Sequence, residues 1–218
     1  DSLRDEGFKA FYLAIGAQGN RPLGVEGEDA QGVSGALSFL RETIEADVVG
    51  NACDVADEVV VVGGGNVVVD AACMALRSGA KNVTMVSIEQ REEMPASPDE
   101  IEEALADGVK LDCGWGPAKI NADANGQVES ITLRRCTRVF DSEGRFAPEY
   151  DDADTRTIDC KQVVLAIGQS IEWGSLLEGS AVELGRGNTA VAEGFTYQTA
   201  QDDVFVGGDA FTGPRFVI

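Results

Sequence analysis

Three consecutive glycines, Gly63, Gly64 and Gly65, separate two runs of valine in the stretch VVVVGGGNVVVD, Val59 to Asp70. The valines before them read as a buried strand. The residues after them, Asn66 to Arg77, read as a helix whose end is marked by Gly79. A strand that turns on Gly-x-Gly into a helix is a setting in which a backbone can hold a pyrophosphate. The first glycine permits the tight turn and the second lets the backbone come close, while the free amides of the first helical turn face the charge. Gly64, Asn66 and Val67 fill the spacer positions, and Val68 stands where a smaller third residue is usual. The valines at the head of the helix each cost only a few tenths of a kcal/mol relative to alanine, which burial offsets. A glycine-rich turn without a ligand is the competing reading of the same pattern.

The kind of dinucleotide is decided at the end of the following strand, in VTMVSIEQREE. A free ribose 2′-hydroxyl suits a carboxylate, whereas a 2′-phosphate needs cations. Glu89, with Glu92 and Glu93, makes this neighbourhood negative, and Arg91 is its one cation. The expected ligand is therefore NADH in preference to NADPH, with Arg91 keeping NADPH open. A solvated run of charge is the alternative account of the glutamates.

The elements that must position these residues alternate along the chain. Phe8 to Ile15 reads as a strand closed by Gly16, and SGALSFLRETIEA as a helix with Ser34 at its N-cap. SPDEIEEALADG reads as a helix opened by a Ser97–Glu100 capping box with Pro98 in its first turn, and VKLDC as a third strand. From Pro117 to Asp159 the pattern alternates around Asn125-Gly126, which predicts antiparallel hairpin strands; CKQVVLAIG returns to a buried strand. The fold class is α/β, Rossmann-like, with a parallel sheet, crossover helices and antiparallel hairpin strands. FYLAIGAQ (11–18) and VVLAIGQS (163–170) echo each other, as two related nucleotide-binding lobes would.

Of 218 residues, 38 are acidic and 17 basic, a net charge of −21 that disfavours nucleic acid and anionic membrane surfaces. The absence of histidine rules out Ser-His and Cys-His nucleophile pairs and histidine-based zinc sites. Cys53, Cys73, Cys113, Cys136 and Cys160 include no C-x-x-C pair, so reduced thiols and a cytoplasmic location are expected, with no metal site. No apolar run reaches membrane-spanning length. A first residue of Asp suggests a piece of a longer chain.

Five stretches together resemble the small (β) subunit of glutamate synthase and its FAD- and NAD(P)H-dependent relatives. They are GGGNVVVDAACMALRSGAKNVTMV, REEMPASPDEIEEALADGV, DSEGRF, VVLAIGQ and VFVGGDAFTGP. The resemblance covers essentially the whole chain. It implies an NAD(P)H-binding domain (33–170) inserted into an incomplete FAD domain (1–32 and 171–218). It also implies that Gly63, Gly65 and Asn66 hold the nicotinamide nucleotide's phosphates, with Gly168 closing that lobe. On the flavin side it implies Gly16, Gly208 and Asp209. Where the family usually carries aromatic-Arg-Arg, this sequence has Ser87, Ile88 and Glu89.

The family's N-terminal flavin fingerprint, its upstream cysteine-rich iron–sulfur region and the helix that follows the stretch matching FTGPRFVI have no counterpart in this sequence. The implied function is transfer of a hydride from NAD(P)H to FAD, then of electrons to iron–sulfur centres in partner subunits or other domains. No catalytic side chain is required for it. A non-catalytic nucleotide-binding or docking module without flavin is the alternative. A thioredoxin-reductase-like disulfide reductase lacks its C-x-x-C pair.

Overall fold

The computed structural model of the chain describes residues 2–51 and 53–214, so the end of the FTGPRFVI stretch lies outside the described residues. In chain order the elements begin with α1 (Ser2–Asp5), β1 (Phe11–Leu13), β2 (Gly19–Asn20), β3 (Val33–Gly35) and α2 (Ala36–Val48). Then come β4 (Glu58–Val62), α3 (Asn66–Arg77), β5 (Asn82–Ser87), α4 (Pro98–Ala106) and β6 (Lys110–Cys113). The remainder is β7 (Trp115–Ala122), β8 (Val128–Phe140), β9 (Phe146–Asp159), β10 (Gln162–Leu165), β11 (Gln169–Ser170), β12 (Val204–Val206) and α5 (Asp209–Thr212). Two compact units result. Pro22–Gly168 forms the larger; the segments on either side of it form the smaller.

The larger unit is built on a parallel sheet in the order β3-β10-β4-β5-β6, with β4 at its centre. Successive side chains of a strand point to opposite faces, and both faces of this sheet are covered. Val59 and Val61, with Val83, Met85 and Val164, pack with residues of α2, α3 and α4. Val60 and Val62, with Val86, Val163 and Leu165, pack with Ile131 and Leu133 of β8 and with Ile120 and Trp115 of β7. A parallel strand buried on both sides reads as an unbroken apolar run. Val59 to Val62 are each no more than 3% exposed, and burial of each contributes on the order of 1.5–3 kcal/mol.

Helix α3 turns Val68, Val69, Ala71, Ala72 and Ala75 inward. The alanines let it lie close to the sheet, and Val68, fully buried, fills the space that a smaller residue would leave. On the other face, β7, β8 and β9 form an antiparallel sheet. The β7–β8 turn closes where Asp123 Oδ1 accepts the amides of Asn125 and Gln127 at 2.8 and 3.0 Å. Gly126 supplies the left-handed backbone there, at φ +81°.

Three local expectations differ from the structure. The first strand is limited to Phe11–Leu13. Ser34 is not an N-cap: it lies inside β3, paired with Val164, and α2 starts after Gly35 with no side-chain cap. The Ser97–Glu100 capping box does not form, because the Ser97 amide that Glu100 would accept is donated to Asn66 Oδ1 at 3.0 Å. A capping box closes the short 3₁₀ turn Arg91–Glu93 instead, between Gln90 and Glu93.

In the smaller unit β1 and β12 are parallel neighbours and β2 pairs antiparallel with β11. Ala17, Ile171, Trp173, Ala190, Val206 and Ala210 make its core. The two LAIG copies occupy equivalent local positions. Leu13 ends β1 and Leu165 ends β10, and each is followed by a glycine at positive φ, +69° at Gly16 and +121° at Gly168. Among the described residues no helix is long and apolar enough to cross a membrane.

Candidate functional site

The end of β4 leads straight into the glycine turn, and each glycine is there for a different reason. Gly63 has φ +151°, and a Cβ on it would stand 2.4 Å from the Ala166 carbonyl oxygen, on the chain leaving the neighbouring strand. That approach is fixed by two hydrogen bonds: Ala166 N donates to Val62 O at 2.8 Å, and Gly63 N to Val86 O at 2.9 Å. A Cβ on Gly64 would meet the Glu89 carboxylate at 2.5 Å. Gly65 is the N-cap of α3, in ordinary extended geometry (φ −93°, ψ 178°), and nothing lies within 4 Å of its Cβ direction. No side chain caps α3; Val68 N donates to Gly65 O at 3.0 Å, and the amides of Asn66 and Val67 at the head of the helix are left to face an anion in the open space before Gly65.

Glu89 is brought to this turn by β5, which runs beside β4 with Val86 opposite Val62. Its side chain is only 8% exposed. Ser87 Oγ donates to Glu89 Oε2 at 2.5 Å, and Ser87 accepts the Glu89 amide at 3.1 Å. A carboxylate held in this way, with acceptor capacity to spare, can take a hydroxyl donor. Ser87, already noted for what it replaces in the family pattern, thus supports the carboxylate, a contact that spacing alone does not reveal.

The segment leading into α4 is fastened to the same turn. Ala96 N donates to Gly64 O at 3.0 Å, and Ser97 N to Asn66 Oδ1 at 3.0 Å. Asn66 thus braces the turn through its side-chain oxygen. Val67 is half-buried against the helix-side core. Arg91 lies on the following 3₁₀ turn, where it forms an exposed ion pair with Glu102 of α4.

A second cation stands at this end of the sheet. Arg135 Nη1 would be 3.3 Å from a Cβ on Gly114, whose own amide donates to Glu89 O. Its guanidinium stacks on Trp115 at 3.8 Å and pairs with Asp154 at 3.2 Å. Nothing in composition or spacing exposed this stack, because it depends on the pairing of β7, β8 and β9.

In the larger unit, then, Gly63, Gly64, Gly65, Asn66, Val67 and Glu89 come together at the carboxyl end of β4 and β5, with Arg91 on the adjoining turn. Gly168 is the last residue of that unit. Gly16, Gly208 and Asp209 belong to the smaller unit, just beyond the carboxyl ends of β1 and β12. Gly208 has φ +60° and precedes Asp209, the first residue of the short α5. Gly207 N donates to Leu13 O at 3.1 Å, tying the two strand ends together.

All five cysteines are free, and burial is the first cause raising each thiol above its ordinary pKa. Cys160 is pushed up to about 12. No thiol here is poised as a thiolate.

Over residues 2–218 the sequence matches the family described as pyridine nucleotide-disulphide oxidoreductase. It is 32% identical over 238 residues to the NADPH-Fe(3+) oxidoreductase subunit beta of Geobacter sulfurreducens, an alignment covering 97% of this chain and 34% of that protein. It is 31% identical over 232 residues to the glutamate synthase (NADPH) small chain of Escherichia coli K12, covering 100% of this chain and 48% of that protein. The chain therefore spans between about a third and a half of the length of these relatives. The structure of Mycobacterium tuberculosis FprA in complex with NADPH shares the fold, with a TM-score of 0.72 at 20% identity; 99% of this chain and 61% of that one are covered.

Proposed function

The chain belongs to the pyridine nucleotide-disulphide oxidoreductase family, and we propose that it is the nicotinamide-nucleotide-binding part of a flavoprotein oxidoreductase subunit similar to the glutamate synthase small subunit. The observation that carries this reading is the open, uncapped mouth of α3 at Gly65 with the buried Glu89 carboxylate beside it. The pyrophosphate lies against the amides of Gly65, Asn66 and Val67, and Glu89 accepts from the adenosine ribose. Gly168 closes the lobe on the nicotinamide side.

NADH is preferred over NADPH. A 2′-phosphate near Glu89 would face a buried negative charge, and the cations at this end are already engaged, Arg91 with Glu102 and Arg135 with Trp115 and Asp154. The relatives above are named for NADPH, so the preference rests on this chain's own residues at 87–89.

FAD, when bound in the whole protein, supplies the two-electron acceptor for the hydride. In the smaller unit, Gly16, Gly208 and Asp209 sit at the ends of only two parallel strands, a partial cradle that fits the flavin's ribityl and pyrophosphate region without enclosing it. In the whole protein, iron–sulfur centres in partner subunits or other domains of a cytoplasmic complex would take the electrons onward.

Thermal melts with NADH and NADPH titrated in parallel test the reading. A larger rise with NADH supports it, and equal rises remove the cofactor preference. No rise with either removes the binding site. An absorbance spectrum separates the alternative, a nucleotide-binding or docking module: a colourless chain that still binds NADH favours the module, and a yellow one bleached by NADH favours the oxidoreductase.

A further inference from the structure

The helix-covered face of the larger unit carries a groove that nucleotide binding does not use. Its volume is ≈ 370 Å³. Helix α3 forms the floor with Asp70, Cys73, Met74 and Arg77, spaced i, i+3, i+4 and i+7 on the side opposite its sheet-facing alanines. Leu40 and Ile44 of α2 make one wall; Glu100 and Glu103 of α4, with Asp107 just past its end, make the other.

Two properties set this face apart from an ordinary solvated helix layer. First, its apolar wall continues into solvent: Ile44 is 51% exposed, Val48 one turn later 78%, and Val49 67%. Apolar side chains one turn apart on one helix face form a continuous stripe. Second, the opposite wall is acidic. Four carboxylates line the groove against the single cation Arg77.

We propose that this groove docks a lysine- or arginine-bearing amphipathic helix of another polypeptide, its aliphatic side chains seated on Leu40, Ile44 and Met74 and its cations on the α4 wall. Charge selects this occupant. A second copy of the chain would bring its own net −21 against an acidic rim, and an anionic lipid surface meets the same repulsion. A helix with one apolar and one basic face matches both walls at once. The groove lies on the outer side of α3 and is independent of the nucleotide reading.

The probe is a labelled synthetic leucine/lysine amphipathic helix, titrated into the chain by fluorescence anisotropy, beside a serine/lysine peptide of equal charge. The leucine/lysine peptide binds at least about tenfold more tightly than the serine/lysine one. Ile44→Asp, at an exposed position that does not threaten folding, weakens it by about tenfold or more, as does Glu100→Lys combined with Glu103→Lys. Glu129→Lys, an exposed position of β8 on the opposite face of the larger unit's parallel sheet, changes Kd by less than about twofold, because distant surface charges are screened. Saturating peptide slows alkylation of Cys73, read by mass spectrometry, and leaves Cys113 unaffected. Equal binding of the two peptides, an unchanged Kd for Ile44→Asp, undiminished Cys73 alkylation, or self-association of the chain in sedimentation would each overturn the proposal.

Discussion

Gly63 and Gly65 are two residues apart and both look like parts of one phosphate turn, yet the structure assigns them opposite consequences on substitution. Gly63→Ala places a Cβ 2.4 Å from the Ala166 carbonyl, a backbone atom held by its own strand pairing, and does so at φ +151°. Overpacking of this kind costs about 1–3 kcal/mol, and a left-handed backbone on a non-glycine residue adds about 1–2. For a chain of this size each kcal/mol moves Tm by about 2–4 °C, so a fall of about 4–20 °C follows.

Gly65→Ala meets no atom within 4 Å and has an ordinary backbone. Alanine is a poorer N-cap than glycine by roughly 1 kcal/mol, so Tm falls by only about 2–4 °C. Its methyl group, however, projects into the open space before α3 where the proposed pyrophosphate would lie. A loss of about 2 kcal/mol in binding is roughly thirtyfold in Kd. With nucleotide at about 100 times the wild-type Kd, the ligand stabilises the wild type by about 2.7 kcal/mol and the variant by only about 0.9. The NADH-induced rise then shrinks from about 5–11 °C to about 2–4 °C. Differential scanning fluorimetry with and without NADH reads both effects. A Gly65→Ala protein that melts near wild type and keeps the full NADH-induced rise refutes the placement of the pyrophosphate.

Glu89→Gln keeps the shape and removes the charge, so the gap between NADH and NADPH affinities narrows by about tenfold; an unchanged ratio in parallel titrations contradicts the role given to the carboxylate. Val68→Ala, at a fully buried site, lowers stability by about 1.5–3 kcal/mol and does not tighten nucleotide binding; denaturant melts with a binding titration check both parts. The Arg4 guanidinium, donating to Asp203 at 2.7 Å, and a bond from Gln201 hold the Asp203 carboxyl down to about 2. A depressed pKa contributes stability that is present above the unfolded value near 4 and lost as pH falls towards 2. Acid titration of the wild type therefore shows a loss in that window that Asp203→Asn lacks; parallel curves contradict the pairing. Native alkylation at mildly alkaline pH spares Cys160, whose thiol burial pushes up to about 12, while denaturation exposes it; rapid native labelling of Cys160 contradicts the packing.

The parts of the fold that were legible are those whose local pattern and tertiary environment agree. The Val59–Val62 run is unbroken because two cores press on β4, and α3 begins at Asn66 because Gly65, extended at φ −93° and ψ 178°, ends the turn there. The β7–β8 turn announced itself in Asn125-Gly126. What the sequence hid is set by distant partners. Ser34 has the composition of a helix cap, but pairing with β10, more than a hundred residues later in the chain, draws it into a strand. Ser97 and Glu100 have capping-box spacing, but Asn66 claims the amide first. In the site, Glu89 and the glycines could be singled out by spacing; the support from Ser87, the Ala166 carbonyl against Gly63 and the Arg135–Trp115 stack could not.

The fastening of the 94–97 segment to the glycine turn, through Gly64 O and Asn66 Oδ1, bears on how quickly a dinucleotide can be exchanged. With this rim tied back to the sheet, a dinucleotide bound as proposed would demand little reordering of this backbone on arrival. Cutting one tie, as in Asn66→Ala, would introduce slack: capture becomes slower because the cradle must be gathered again at each encounter.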